Sequence, residues 1–340
     1  MSAASVLYAS AARWTRRHHA SPRRQRRLRC PVVSIGNLVV GGRGKSPMAA
    51  HVAAMLRDAG ERPAVLSRGY RRDDPADGVV VVRDPRHVRA TLAQAGDEPL
   101  MLASMLPGCA VLVAVDRHLA GVLAESRLGC TVHVLDDGFQ HHGLYRDVDL
   151  LLVTRHDLED EQVLPAGRLR EDAGAASAAD AWLVPREECD ALGPLAARAG
   201  VRHVFATTRE LGPAVPLDAL PDGDWHERSE PVLLVSGLAR PAQFEAEVRA
   251  AGWNVAGHLA FGDHHRFTAG DVDAMRARAR ACGAARALTT AKDVVRLSPH
   301  GPLPLPTAWV PLTVRVEPSE DFRSWLLDRL ARARSSRAAS

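Results

Sequence analysis

Several things that the chain lacks set the first limits. No stretch of its 340 residues reaches the roughly 18 to 20 apolar residues that a helix needs to cross a bilayer. The five cysteines, Cys30, Cys109, Cys130, Cys189 and Cys282, are odd in number, scattered and without a CxxC pair. They read as reduced thiols, which argues against a disulfide framework and a zinc site. Aromatic residues make up only 4% of the chain and do not interleave with basic ones as a nucleic-acid surface requires. Residues 1–30 lack acids altogether but carry eight arginines (Arg13, Arg16, Arg17, Arg23, Arg24, Arg26, Arg27 and Arg29). With a whole-chain charge of +4, the remainder is net −4, so the basic character is terminal and a nucleic-acid-binding body is not expected. A signal peptide is not indicated either, because the uncharged run from Met1 to Ala12 precedes its positive charges when it should follow them. An intracellular protein is expected. There is no internal repeat, and no low-complexity tract beyond the arginine-rich arm and the Ala/Arg-rich tail from Ala331.

At about 150 residues per domain the chain has room for roughly two domains. Short β-branched runs alternate with longer Ala/Leu/Arg-rich stretches, the pattern of a parallel sheet covered by helices on both faces. Candidate strands are Pro31–Ile35, Ala64–Ser67, Val79–Val82, Val111–Val115, Val132–Leu135, Val148–Val153 and His203–Thr207. Pro, Gly, Asp and Ser cluster at Asp222–Glu230, and the alternation restarts with Val232–Ser236, a helix from Ala242, Val255–Phe261, a helix from Asp271, Ala287–Thr290 and Trp309–Val316. The expectation is an α/β protein with a P-loop NTPase-type parallel core over residues 31–225, a second, smaller α/β lobe over 226–340, and a basic arm over 1–30. Ligands of such sheets sit at the carboxyl ends of the strands.

The strongest local signal is Pro31-Val-Val-Ser-Ile-Gly-Asn-Leu-Val-Val-Gly-Gly-Arg-Gly-Lys-Ser-Pro47: a hydrophobic strand, a glycine-rich loop, then Lys-Ser opening a helix. A loop of this kind turns backbone N–H groups and a helix N-terminus toward a polyphosphate. Lys45 then reaches the β/γ-phosphates and the Ser46 hydroxyl reaches Mg²⁺. Gly41, Gly42, Arg43, Gly44, Lys45 and Ser46 are the candidate nucleotide-binding residues. The generic GxxxxGK[ST] string is not met, since Val39 stands five before Gly44, and an ordinary glycine-rich βα turn is the alternative. A second piece is Val132-His-Val-Leu-Asp-Asp137, a strand with two carboxylates at its end, where a P-loop NTPase keeps the acid that helps to hold Mg²⁺. Asp136 and Asp137 in isolation would read as a cap or turn; together with Lys45 and Ser46 they read as metal ligands.

These segments carry a resemblance. Gly36-Asn37-Leu38 with Gly41-Gly42-Arg43-Gly44-Lys45-Ser46-Pro47 resembles the unusual P-loop of the tetraacyldisaccharide 4'-kinases. Further matches follow in the family's order: Ser67-Arg68-Gly69-Tyr70, Gly96-Asp97-Glu98-Pro99, Asp136-Asp137-Gly138-Phe139-Gln140-His141, Leu164-Pro165-Ala166-Gly167-Arg168-Leu169-Arg170-Glu171, Asp263-His264-His265 and Thr289-Thr290-Ala291-Lys292-Asp293. The resemblance runs from about residue 31 to 316. Arg43 stands where a small residue or Thr is usual, Ser46 replaces the usual Thr while keeping its hydroxyl, Arg168 replaces a common proline, and the N-terminal segment is shorter than usual.

The resemblance implies ATP and Mg²⁺ as cofactors, phosphoryl transfer to the 4'-hydroxyl of a tetraacyldisaccharide 1-phosphate of lipid A biosynthesis, and a peripheral location on the cytoplasmic face of the inner membrane. It also implies that Asp97 accepts the proton of the attacking hydroxyl, assisted by His264 from the second lobe once the lobes close. From the residues alone, Asp97 could equally be a helix-starting acid, and His264–His265 a surface loop or a metal pair. Arg68 and Arg170 are candidates for phosphate or substrate contacts, while Gln140 and His141 follow the metal strand. In the arm, Ala3, Leu7, Ala11 and Trp14 fall on one helical stripe, with arginines placed to sit over anionic lipid; the alternative is a disordered basic tail. Two rival classes are a P-loop switch ATPase, whose nucleotide-reading or second lysine motif is missing, and a nucleic-acid-binding protein, against which the acidic body stands.

Overall fold

The structure, a computed structural model, describes residues 3–19, 24–41, 44–70, 72–74, 78–160, 162–217, 225 and 227–338. Eight strands arise before residue 212: β1 (Val32–Asn37), β2 (Pro63–Ser67), β3 (Val80–Arg83), β4 (Ala110–Val113), β5 (Val132–Asp136), β6 (Val148–Leu152), β7 (Ala181–Pro185) and β8 (His203–Leu211). Six follow: β9 (Val215–Pro216), β10 (Val232–Gly237), β11 (Val255–Phe261), β12 (Arg286–Thr290), β13 (Thr307–Val310) and β14 (Leu312–Glu317). The helices are α1 (Ala3–His19), α2 (Lys45–Asp58), α3 (Leu92–Ala95), α4 (Asp97–Met105), α5 (Arg117–Leu128), α6 (Arg155–Glu159), α7 (Cys189–Arg198), α8 (Pro241–Ala250), α9 (Ala269–Cys282), α10 (Ala291–Leu297) and α11 (Ser319–Ala338).

Nine strands form one sheet in the order β14-β8-β7-β6-β1-β5-β2-β4-β3. Pairings from β8 through β4 are parallel, and β3 closes the edge antiparallel to β4. β1 lies at the centre with all six residues buried, as its uncharged Val-Val-Ser-Ile run suits a strand covered on both faces. One apolar cluster gathers Leu38, Val39, Phe139, Leu151, Trp182 and Val184, and takes in Ala9 from α1. Another gathers Val32, Leu66, Leu112, Ala120, Ala124 and Leu135. The second sheet runs β11-β10-β12-β13-β9, parallel except for β9. Along β10, Val232 and Leu234 enter one cluster and Leu233 and Val235 the other, the period-two alternation of a strand sandwiched between helices.

The chain divides into one unit of Met1–Thr208 with Val314–Ser340 and another of Arg209–Thr313. This differs from an expected division at 225/226 in two ways. The second unit begins earlier, within β8, and the C-terminus returns to the first. The single strand expected over Trp309–Val316 is two, β13 and β14, separated by Pro311 and lying in different sheets. A proline cannot donate to a ladder, so the break falls there. After it, α11 buries Phe322, Leu326 and Leu330, with Phe322 edge-on to Phe205 at 5.0 Å. The arm likewise is not separate: Ser5 and Ala9 of α1 are buried.

If α11 belongs to the first core, Phe322→Ala should destabilise the protein by about 3–5 kcal/mol, the usual cost of emptying a fully buried aromatic site. Urea denaturation measures this, and a loss under about 1 kcal/mol would place α11 outside that core.

Candidate active site

The sequence-predicted residues of the first unit collect at the carboxyl ends of β1, β2 and β5. Gly41 (φ 100°) and Gly44 (φ 79°) occupy the left-handed region, which glycine enters without steric cost, and Gly44 caps α2. Gly42 and Arg43 lie outside the described residues. Lys45 opens α2, and its Nζ donates to Asn37 Oδ1 at 3.1 Å and to the Gly41 carbonyl at 3.3 Å. Asn37 ends β1, fully buried, and its Nδ2 has no hydrogen-bond partner among the described residues. A buried donor left open beside a glycine-rich loop fits an anionic oxygen.

The two adjacent aspartates point to different partners. Asp136 accepts from the Ser46 hydroxyl at 3.1 and 3.2 Å. Burial, then the nearby charges of Glu98 and Asp137, push its carboxyl from 3.8 up to about 7, against the opposing pull of Lys45 and Ser46. A hydroxyl and a crowded carboxylate, both oxygen donors, fit Mg²⁺, which takes one or two carboxylates and leaves its other positions to phosphate and water. Asp137 faces cations instead: Lys45 Nζ at 3.6 Å and Arg170 Nη1, which donates to both its oxygens at 2.8 and 2.9 Å. The expected set of Ser46, Asp136 and Asp137 therefore divides, with Ser46 and Asp136 together and Asp137 holding the basic side chains. Gln140 ties this region down, donating to the Asn37 carbonyl at 2.9 Å.

Asp97 is buried and begins α4, where its Oδ1 accepts the Glu98 N–H at 2.9 Å. The helix-starting reading of Asp97 is therefore met. Arg68 is exposed at the end of β2. Two residues that sequence reasoning does not single out belong here. Arg117 is a buried guanidinium lowered to about 10 by burial and Arg68, while Asp137, Asp136 and Asp116 draw it upward. Glu98 is near enough to raise Asp136. Arg117 follows the N-cap Asp116 of α5, and only its place after a buried strand could have marked it in an arginine-rich chain. His141 is pushed down to about 4 by burial and then by Arg117 and Arg146, so its ring is neutral near pH 7.

In the second unit, His264 Nε2 lies 3.2 Å from Lys292 Nζ, and Lys292 also reaches Asp263 Oδ1 at 3.1 Å. Lys292 lies within a matched motif, but nothing in the sequence assigns it a role. His265 turns elsewhere, stacking on Phe261 at 4.4 Å and meeting Asp271 at 3.0 Å, so the two histidines do not act as a metal pair. Among the described residues, the non-glycine positions with positive φ are Asp137 (55°) and His264 (59°). Such conformations are costly and persist where surrounding structure holds them, commonly at functional sites.

One further cluster brings the ligand atoms of Cys30, Glu125 and His133 within 4.8 Å of one another. Burial, with Glu125, raises the Cys30 thiol to about 11, and Glu125 Oε1 accepts the Cys30 N–H at 2.8 Å and faces His133 Nε2 at 3.1 Å. That is a hydrogen-bonded network around a protonated thiol, whereas a metal requires the thiolate.

A glycine-rich loop between a central parallel strand and a helix, Lys-Ser at the helix start, and an acid ending the neighbouring strand define a P-loop phosphotransferase site. The family model for tetraacyldisaccharide-1-P 4'-kinase matches residues 1–331. A tetraacyldisaccharide 4'-kinase of Anaeromyxobacter sp. (strain Fw109-5) is 41% identical over 287 residues, 81% of this chain and 76% of that one. One of Geobacter metallireducens is 39% identical over 283 residues, 81% of each chain. Among solved structures, "apo" form LpxK from Aquifex aeolicus in complex with ATP superposes with a TM-score of 0.78 at 29% identity, covering 96% of this chain and 97% of that one. The chain belongs to the tetraacyldisaccharide-1-P 4'-kinase family. It is an ATP-dependent kinase of lipid A biosynthesis, as the sequence motifs implied.

The raised Asp136 carboxyl has a measurable consequence in the metal-free protein. Because its folded pKa of about 7 exceeds the ordinary 3.8, the folded state holds the extra proton between these values. Stability therefore falls as pH rises through that window. Asp136→Asn cannot ionise and escapes the loss. Each tenfold change in proton affinity is worth about 1.4 kcal/mol. With chelator present, the variant should therefore be more stable than the parent at pH 8 by up to a few kcal/mol, and the gap should be markedly smaller at pH 5, closing fully only toward the ordinary 3.8. Urea melts at the two pH values test this; a gap independent of pH would mean that Asp136 ionises as an ordinary carboxylate.

Proposed function

We propose that the chain acts as a peripheral enzyme of the cytoplasmic face of the inner membrane, transferring the γ-phosphoryl group of Mg-ATP to the 4'-hydroxyl of a tetraacyldisaccharide 1-phosphate. The observation that carries the site assignment is Lys45 and Ser46 at the start of α2 beside buried Asp136. The ATP in the crystallised relative from Aquifex aeolicus supports the donor.

Backbone N–H groups around Gly41 and Gly44 would cradle the phosphates, with Lys45 neutralising the β/γ oxygens. Arg117, and Arg68 and Arg170 at the rim, add positive charge as the transferring group spreads its own. Ser46 and Asp136 would hold Mg²⁺, whose chemistry is to neutralise phosphate charge. Asp137 keeps Lys45 and Arg170 in place. The sugar oxygen attacks the γ-phosphorus, the bond to the β,γ-bridging oxygen breaks, ADP leaves, and the hydroxyl proton passes to Asp97. His264, with Lys292 and Asp263 around it, is assigned the assisting part.

A radiolabelled γ-phosphate transfer assay with the disaccharide lipid in mixed micelles tests the assignment. Lys45→Ala should lose about 10²–10³-fold in kcat/KM with the fold intact. Asp97→Ala should lose kcat and keep its ATP affinity, and an Asp97/His264 double variant should be hardly worse than the worse single one. Transfer at the parent rate by a folded Lys45→Ala protein would remove the site from this loop.

Attachment is assigned to the outer face of α1, where Leu7 is 72% and Trp14 62% exposed. Among the described residues no helix is long and apolar enough to cross a membrane, and a surface helix with an aromatic residue and neighbouring arginines suits the headgroup level. Replacing Leu7 and Trp14 together with Ser should reduce sedimentation with anionic vesicles and raise KM for vesicle-embedded lipid, leaving KM for ATP alone. Undiminished vesicle binding would defeat this assignment.

A further inference from the structure

The inner face of α1 leads somewhere other than a membrane. Ser5 Oγ donates to the Val163 carbonyl at 3.2 Å. Ala9 packs in the cluster that contains Leu38, Val39, Val163 and Leu169. Arg16, one turn from the end of the helix, donates from Nε to Glu171 Oε2 at 2.5 Å, and its guanidinium lies 4.6 Å from the centre of the Phe139 ring. Glu171 is buried. Burial alone would raise its carboxyl, but hydrogen bonds from His142 and Arg16 hold it below the ordinary range.

Both partners of Arg16 adjoin the nucleotide site. Glu171 follows Arg170, whose guanidinium holds Asp137. The strip ending in Arg170 is hydrogen-bonded to the entrance of the phosphate loop: Arg170 N–H to the Leu38 carbonyl at 2.7 Å, Val40 N–H to the Arg168 carbonyl at 2.9 Å. Phe139 stands two residues after Asp137, and a Cβ at Gly36 would meet its Cβ at 2.4 Å. The backbone and Cβ of Phe139, from which the ring projects, are therefore seated against the end of β1 with no slack.

We propose that α1 braces the phosphate loop, with Arg16 as the positioning residue: it fixes Glu171 and Phe139, and through them the strip 168–170, Arg170 and Asp137. This rests on the Mg-ATP site assigned above and deepens it. The helix that meets the lipid surface with one face sets the geometry of the nucleotide site with the other, so the state of α1 is felt in ATP binding as well as in lipid access.

The test measures Mg-ATP affinity with a fluorescent ATP analogue, and kcat and KM in detergent micelles, where vesicle attachment plays no part. Arg16→Ala should weaken ATP binding about tenfold, the worth of one charge-assisted hydrogen bond, and lower kcat while its melting temperature stays within a few degrees of the parent. Arg16→Lys should recover part of the loss, and added methylguanidinium should do the same for Arg16→Ala. Arg17→Ala, an equal loss of charge at an exposed position of the same helix, should leave ATP affinity unchanged. Parent-like affinity and kcat in a folded Arg16→Ala protein would overturn the positioning role. So would a loss that follows global destabilisation and is rescued by neither Lys nor methylguanidinium. If the parent protein itself binds no Mg-ATP, the site assignment falls and takes the role with it; if the parent binds and Arg16→Ala binds equally, only the role falls.

Discussion

Asp136 is a carboxylate removed from water at the end of a buried strand, and the rest of the first unit is arranged around that cost. A buried charge has to be paired, neutralised by a proton or bound to a metal. Here a proton shares that task near neutral pH, since burial with Glu98 and Asp137 nearby raises the group to about 7. The residues next to it offer a different answer. Ser46 supplies a hydroxyl, Lys45 a charge, and the loop between β1 and α2 a set of N–H donors. Each is useful only if something with its own cations and oxygens enters. A site that is electrostatically incomplete as protein alone is what a Mg-nucleotide donor requires, because the ligand then supplies the missing charges.

Completing such a site demands that its parts stay still, and the backbone records this. Asp137 and His264 are held at positive φ, a strain the surroundings must balance. For Asp137 the surroundings are visible: Arg170 bonds both oxygens, Gln140 links the segment to β1, and Phe139 is wedged at Gly36. The nucleotide loop is braced from the side by the strip 168–170, which is in turn packed by α1. Positional accuracy at the phosphates is therefore assembled from segments far apart in sequence, each contributing a hydrogen bond or a packed ring.

What could be read from the sequence follows from this. The central strands, the glycine-rich loop and the acids at the strand end were legible because local rules dictate them: β-branched runs, glycines where φ must be positive, a carboxylate at a carboxyl end. The unit boundary was not, because α11 and β14 look locally like a continuation of the second α/β alternation. Only pairing across the chain, β14 beside β8 and Phe322 against Phe205, returns them to the first unit. Arg117 and Lys292 escaped for a similar reason. Their significance lies in neighbours brought by folding, and nothing local separates a buried arginine from the many exposed ones.

The arm shows the same limit in a sharper form. Reading its spacing for apolar residues finds Leu7 and Trp14, which are exposed, and misses the face made of Ser5, Ala9 and Arg16, because small and charged residues do not register as a packing stripe. That face is what ties α1 to the body. The arginine run is correspondingly shared out: Arg16 goes to Glu171, Arg26 forks onto Asp116 at 2.6 and 2.7 Å, and Arg27 stacks on the Tyr145 ring at 3.8 Å. Charges committed to buried or bidentate partners are not available to anionic lipid, so eight arginines overstate the attraction of the arm for a bilayer. The attachment proposed for α1 would rest on fewer charges and on two apolar side chains, an arrangement suited to reversible contact by an enzyme whose other substrate, ATP, comes from water.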